Sequence, residues 1–152
     1  MFHAPSATSS ATILVIDDDA TITRMLIHVL TEIGPYTVIT ASNGSLGLAR
    51  CIEHMPDGVL IDMRMPYLDG EQVVRALRGD ARTADLPIIM LSGFSQQEDR
   101  RRGYFAGVDF YLSKPIDIDA LAATLRQALA LDPQQRAQRL RALAESNSTL
   151  FP

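Results

Sequence analysis

Four short apolar runs punctuate the chain, and each ends on a group that carries chemistry. Ile13-Leu14-Val15-Ile16 is followed by Asp17-Asp18-Asp19, Val59-Leu60-Ile61 by Asp62, Ile88-Ile89-Met90-Leu91 by Ser92, and Phe110-Tyr111-Leu112 leads to Lys114-Pro115. Continuous apolar runs of this length predict strands covered on both faces, as in a parallel sheet lying between helices. In such sheets ligands bind beyond the carboxyl ends of the strands. The exit residues Asp17, Asp18, Asp62, Ser92 and Lys114 are therefore expected to share one crevice, and that set of groups suits a divalent cation beside a phosphoryl group.

The stretches between the runs have helical spacing. Ile22, Met25, Leu26, Val29 and Leu30 fall at i, i+3, i+4, i+7 and i+8, a one-sided stripe that predicts a helix opening near Asp19-Ala20 and stopped by Gly34-Pro35. The acidic cluster supplies its N-cap, a role assigned here to Asp19. Around these lie strands at Thr12–Ile16, Tyr36–Thr40, Gly58–Asp62, Pro87–Leu91 and Phe110–Leu112. A short helix runs from Asn43-Gly44 to about His54, and others from about Gly70 to Arg78 and from Gln96 to Ala106, with Gly107 as a C-cap. The last opens near Asp117, with Ile118, Leu121, Leu125 and Leu129 on its buried face. Five strands alternating with helices imply crossover connections, a parallel sheet and a three-layer α/β sandwich.

Bulk properties narrow the function classes. The chain has 152 residues, 47% hydrophobic and 21% charged, enough for one domain with a full core and no disulfides. A net charge of −4 argues against a nucleic-acid surface. Nothing approaches the roughly 18 apolar residues of a membrane span. Cys51 is expected to pack on a helix face, and the dispersed His3, His28 and His54 do not suggest zinc. The run Arg100-Arg101-Arg102 reads as a solvated helix face, with an acidic partner or nucleic acid as the alternative.

Residues 1–10 read as a disordered leader, 11–131 as the domain and 132–152 as a short, partly helical tail without an effector domain. Pro133 is tolerated in a first helical turn, so a separate helix over Gln134–Glu145 is expected. It reads as a frayed or surface-docked appendage, or else as a dimer-forming or linker helix.

Taken in order, Ile13 to Asp19, Asp62-Met63-Arg64-Met65-Pro66-Tyr67-Leu68-Asp69-Gly70, Met90-Leu91-Ser92-Gly93 and Tyr111-Leu112-Ser113-Lys114-Pro115 resemble the receiver domain of two-component response regulators. The resemblance covers about residues 11–131. It implies a flavodoxin-like fold with a five-stranded sheet of order 2-1-3-4-5.

It also implies roles. Asp17 and Asp18 become the metal-site acids, Asp62 both ligand and phosphoacceptor, and the backbone carbonyl of Arg64 a further ligand. The cation would be Mg²⁺ or Mn²⁺. Physics agrees: two carboxylates about 4 Å apart repel by about 4 kcal/mol at an effective dielectric near 20, so three in one crevice need a cation. An oxygen-only ligand set suits Mg²⁺. Lys114 would stabilise the transferring group, and its bond to Pro115 would be cis. Ser92 would follow the phosphoryl group and Tyr111 would move inward, changing the surface of the fourth helix, fifth strand and fifth helix, a surface fit for homodimerisation. The donor is a histidine kinase or phosphotransfer protein, the compartment the cytoplasm, and the protein a regulator rather than an enzyme.

Arg64 and Phe94, two residues beyond Asp62 and Ser92, are expected to hinder an attacking water and slow loss of the phosphoryl group. That idea fails if Arg64→Ala and Phe94→Ala leave the decay rate unchanged. Gly93 would keep an entrance open. Two rivals stand beside the main reading. A haloacid-dehalogenase phosphohydrolase wants a second acid two residues after its nucleophile, where this chain has Arg64. A pseudo-receiver, acting without phosphorylation, would not need the full acidic set with Ser92 and Lys114. A stand-alone regulator, a relay intermediate and a piece of a longer protein all fit the sequence.

Overall fold

Alternate residues of the strands enter two separate cores, which is why the runs are apolar throughout. The computed structural model describes residues 10–93 and 97–150. The elements are β1 (Ala11–Ile16), α1 (Ala20–Ile33), β2 (Tyr36–Ala41), α2 (Gly44–His54), β3 (Gly58–Asp62), α3 (Gly70–Gly79), β4 (Ile88–Ser92), α4 (Gln97–Ala106), β5 (Phe110–Ser113), α5 (Ile118–Ala130) and α6 (Pro133–Leu150). All strand pairs are parallel, in the order β2-β1-β3-β4-β5. This is the five-stranded, doubly wound flavodoxin-like sandwich expected from the sequence. Except for Ser10, the expected leader lies outside the described residues, as does Phe94.

On one face Leu14, Ile16, Ile61 and Met90 pack under α2, α3 and α4 with Cys51, Val73 and Leu77. On the other Ile13, Val15, Leu60 and Leu91 pack under α1 and α5 with Leu26, Leu30 and Leu125. Cys51 is fully buried, and burial pushes its thiol up to about 11, so packing is its role.

The structure narrows two of the expected stripes. Met25 is 40% exposed and Ile118 50%, against full burial of Leu26 and Leu121. Met25 stands at the margin of the α1 stripe, where Leu26, Val29 and Leu30 fill the space over the sheet. Ile118 is the first residue of α5, beside the N-cap Asp117, and precedes the turns that cross the sheet. The tail forms one continuous helix, α6, longer than the expected Gln134–Glu145. A reciprocal pair of bonds opens it: Gln135 N–H donates to Asp132 Oδ1 at 2.7 Å, and Asp132 N–H donates to Gln135 Oε1 at 3.1 Å. Among the described residues no helix is long and apolar enough to cross a membrane.

Candidate functional site

The acidic triplet divides its labour as it leaves β1. Asp17 N–H donates to Ala41 O at 3.1 Å, tying the strand exit to β2. Asp19 turns away as the N-cap of α1, accepting from Thr21 N–H and Ile22 N–H. Its own N–H donates to Asp17 Oδ1 at 2.9 Å. Asp17 and Asp18 remain at the crevice, where β3 delivers Asp62. One carboxylate oxygen from each of Asp17, Asp18 and Asp62 lies within 4.8 Å of the others, and among the described residues this is the one group with metal-ligand character. Asp17 and Asp62 are buried and Asp18 is exposed, so the cluster opens to solvent on one side.

Lys114 closes the inner side. Its Nζ donates to Asp17 Oδ2 at 3.1 Å and to Asp62 Oδ1 at 3.2 Å. Its backbone N–H bonds Ser92 O at 2.6 Å, and the bond to Pro115 is cis as expected. Ser92 is fully buried at the end of β4. Tyr111 is buried too, with the Arg100 guanidinium 5.2 Å from its ring centroid. Four strand ends thus bring Asp17, Asp18, Asp62, Ser92 and Lys114 to one end of the sheet.

Burial pushes the Asp62 carboxyl above the ordinary aspartate range. Lys114 and the Arg64 N–H pull it down, and the Asp17 charge pushes it further up. For Lys114, burial alone would lower the ammonium, but Asp62 and Asp17 outweigh it and hold its pKa above the usual lysine value. The pair therefore has an ammonium that stays charged and a carboxylate that is costly to ionise. One positive charge does not balance three carboxylates. The donor chemistry fits a hard divalent cation.

The loop after Asp62 makes one close backbone approach and one left-handed turn. Gly70 N–H donates to Met63 O at 2.8 Å, and a Cβ at Gly70 would stand 2.5 Å from Asp62 O and 2.8 Å from Met63 Cα. Close approach of backbone is thus the reason for glycine. Gly70→Ala should cost about 1–3 kcal/mol in chemical denaturation and shift the amide signals of Asp62 and Met63. An unchanged midpoint would contradict this packing. Tyr67 takes a left-handed φ of 68° with its side chain exposed, which the sequence did not signal. Arg64 is exposed and lines a cavity of about 280 Å³ with Met63, Met65, Pro66, Asp69 and Arg102. A Cβ at Gly93 would meet open space.

The sequence profile described as "Response regulator receiver domain" matches residues 13–126. The chain belongs to this family. This receiver is 36% identical over 142 residues to the DNA-binding dual master transcriptional regulator RpaA of Synechocystis, covering 92% of this chain and 58% of that one. A putative response regulator from Chloroflexus aurantiacus superposes with a TM-score of 0.78 at 32% identity, over 81% of this chain and 100% of that one. The chemotaxis protein CheY4 of Vibrio cholerae gives 0.74 at 31%, over 79% and 99%. The receiver spans about half the length of the curated relatives it matches.

Sequence reasoning missed a second charged centre in this receiver, at the opposite end of β4 and β5. Asp109, fully buried, accepts from Arg136 Nε at 2.6 Å, Arg78 Nη2 at 3.1 Å and Ile88 N–H at 2.8 Å. An aspartate directly before an apolar strand was the available signal. The Arg100-Arg101-Arg102 run is also more than a solvated face: Arg102 donates twice to Glu71 Oε2, at 2.6 and 2.9 Å, joining α4 to α3.

Proposed function

We propose that the protein is a phosphoacceptor switch of a two-component system or phosphorelay, taking a phosphoryl group onto Asp62 from a phosphohistidine. The observation that supports it most is the meeting of three carboxylates and Lys114 at the strand ends. Asp17, Asp18, Asp62 and the backbone carbonyl of Arg64 would hold Mg²⁺ or Mn²⁺. When bound, the cation would offset the negative charge of the transferring oxygens.

An Asp62 carboxylate oxygen attacks phosphorus, the P–N bond to the donor imidazole breaks, and its electron pair returns to the ring nitrogen. Lys114, already bonded to Asp62, follows the growing negative charge. Ser92 then bonds the new phosphoryl group, and Tyr111 packing on β5 carries the change to the α4–β5–α5 surface. That surface would bind a target or a second copy of the chain. The donor is a histidine kinase or phosphotransfer protein acting in the cytoplasm, and the chain regulates rather than turns over a substrate. Arg64 and Phe94 would slow hydrolysis, and Gly93 would leave the donor's approach open.

Intact-mass measurement after acetyl phosphate with Mg²⁺ tests the reading. A stable adduct supports the switch, whereas no adduct would favour a phosphorylation-independent interaction module and steady turnover a hydrolase.

Acidity gives a further expectation. The folded pKa of Asp62 is raised, so its contribution to stability is fully present below about 3.9, the ordinary aspartate value, and is lost as pH rises through the raised value. Cation binding has the opposite sign because it needs the ionised carboxylate. The rise in melting temperature on adding Mg²⁺ should therefore shrink on acidification at a pH above the ordinary aspartate range. A Mg²⁺ increment that holds constant down to about pH 4 would contradict it.

A further inference from the structure

We infer that α6 is a strap, clamped on the base of the switch while Asp62 is unmodified and released when Asp62 carries a phosphoryl group. The inference rests on the phosphoacceptor reading of Asp62.

The clamp is a buried side chain in a helix whose first turn is otherwise exposed. Arg136 is only 4% exposed although its neighbours Gln135 and Ala137 face solvent. Its Nε donates to Asp109 Oδ1 at 2.6 Å and its Nη1 to Asp85 O at 2.6 Å. The other oxygen of Asp109 serves Arg78 and Ile88 N–H, so among the described residues Oδ1 accepts from Arg136 alone. One turn on, Arg139 Nε donates to Asp109 O at 3.2 Å, and its guanidinium lies 4.1 Å from the Phe110 ring centroid. The same helix packs against α4.

This seat is built from the parts that move in the switch. Asp109 N–H bonds Ile88 O at 2.9 Å, joining the origins of β4 and β5, whose far ends carry Ser92 and Lys114. α4 lies close on those strands through Gly103, where a Cβ would stand 3.1 Å from Met90 Sδ and 3.7 Å from Tyr111 Cδ2. The Gly103 carbonyl in turn accepts from Gly107 N–H and Val108 N–H, both at 3.1 Å, directly before Asp109. A close-packed seat of this kind tolerates little displacement of α4 against β5. With Lys114 bonded to Asp62 and Asp17, the strap is docked. Drawing Ser92 toward a phosphoryl group shifts α4, and the helix that fits the first arrangement loses contact in the second. By linkage, loosening the strap must favour the modified state to the same degree.

The test is hydrogen exchange by mass spectrometry on the full chain with Mg²⁺, with and without beryllofluoride, an aspartyl-phosphate mimic. Fluorine NMR reports binding separately. With beryllofluoride bound, amides of residues 136–145 should exchange about fivefold faster or more, and Arg139→Ala and Arg136→Met should each tighten beryllofluoride binding about threefold. Arg139 is less buried than Arg136, so its variant keeps the test sound if Arg136→Met folds poorly. Bound beryllofluoride with unchanged or slower exchange in 136–145 overturns the strap and leaves the phosphoacceptor reading standing. No bound fluorine signal overturns the phosphoacceptor reading and the strap with it.

Discussion

Asp62→Asn will abolish Mg²⁺-dependent phosphoryl uptake, lowering adduct formation from acetyl phosphate by about 10³-fold or more while the fold persists. Asparagine keeps the size and the hydrogen-bonding oxygen of the side chain but has no anionic nucleophile. It also removes one of three negative charges from a crevice that Lys114 neutralises only in part, and Lys114 keeps its bond to Asp17 at 3.1 Å. The urea midpoint should therefore move by no more than the equivalent of about 1 kcal/mol. Loss of the adduct together with loss of folding would show that Asp62 holds the structure rather than the chemistry. Retained uptake would place the acceptor elsewhere.

The largest effect on stability is expected far from the acidic crevice. Asp109→Ala should cost about 3–5 kcal/mol, because it strands buried guanidinium groups without their counter-charge. The side chains of Arg78 and Arg136 are 15% and 5% exposed, against 0% for Asp109, and Ile88 N–H loses its acceptor as well. Against a typical total of about 5–15 kcal/mol, that is roughly a fifth or more of the folding free energy. Arg136→Met should cost less, because Arg78 still faces the carboxylate. Urea denaturation of the three proteins checks the ranking. A loss under about 1 kcal/mol for Asp109→Ala would mean that water reaches this centre readily.

The sheet was legible because its strands are buried on both sides, so every residue of Val59-Leu60-Ile61 had to be apolar. The site was legible because strand ends concentrate polar groups, and no packing requirement explains a carboxylate after each of two apolar runs. Assigning Asp19 to capping rather than to the crevice also followed from position, and it is what the bonds to Thr21 and Ile22 do. Long-range ion pairing away from the carboxyl ends of the strands was not legible. Arg136 and Asp109 are separated by 27 residues, and although Asp109 stands directly before an apolar strand, nothing local marks Arg136 as a buried guanidinium rather than a solvated one. Exposure at element edges was missed for a related reason. Met25 and Ile118 satisfy the helical stripe, but the stripe does not say where the sheet beneath it ends.

The most direct test of the central claim is chemical trapping. An aspartyl phosphate is an acyl phosphate, which borohydride reduces to an alcohol, leaving homoserine where the aspartate stood. After treatment with acetyl phosphate and Mg²⁺, reduction and peptide mapping should find homoserine at position 62, and the product should vanish when the cation is chelated. Homoserine at position 17 or 18 instead, or an equal yield without the cation, would contradict the account.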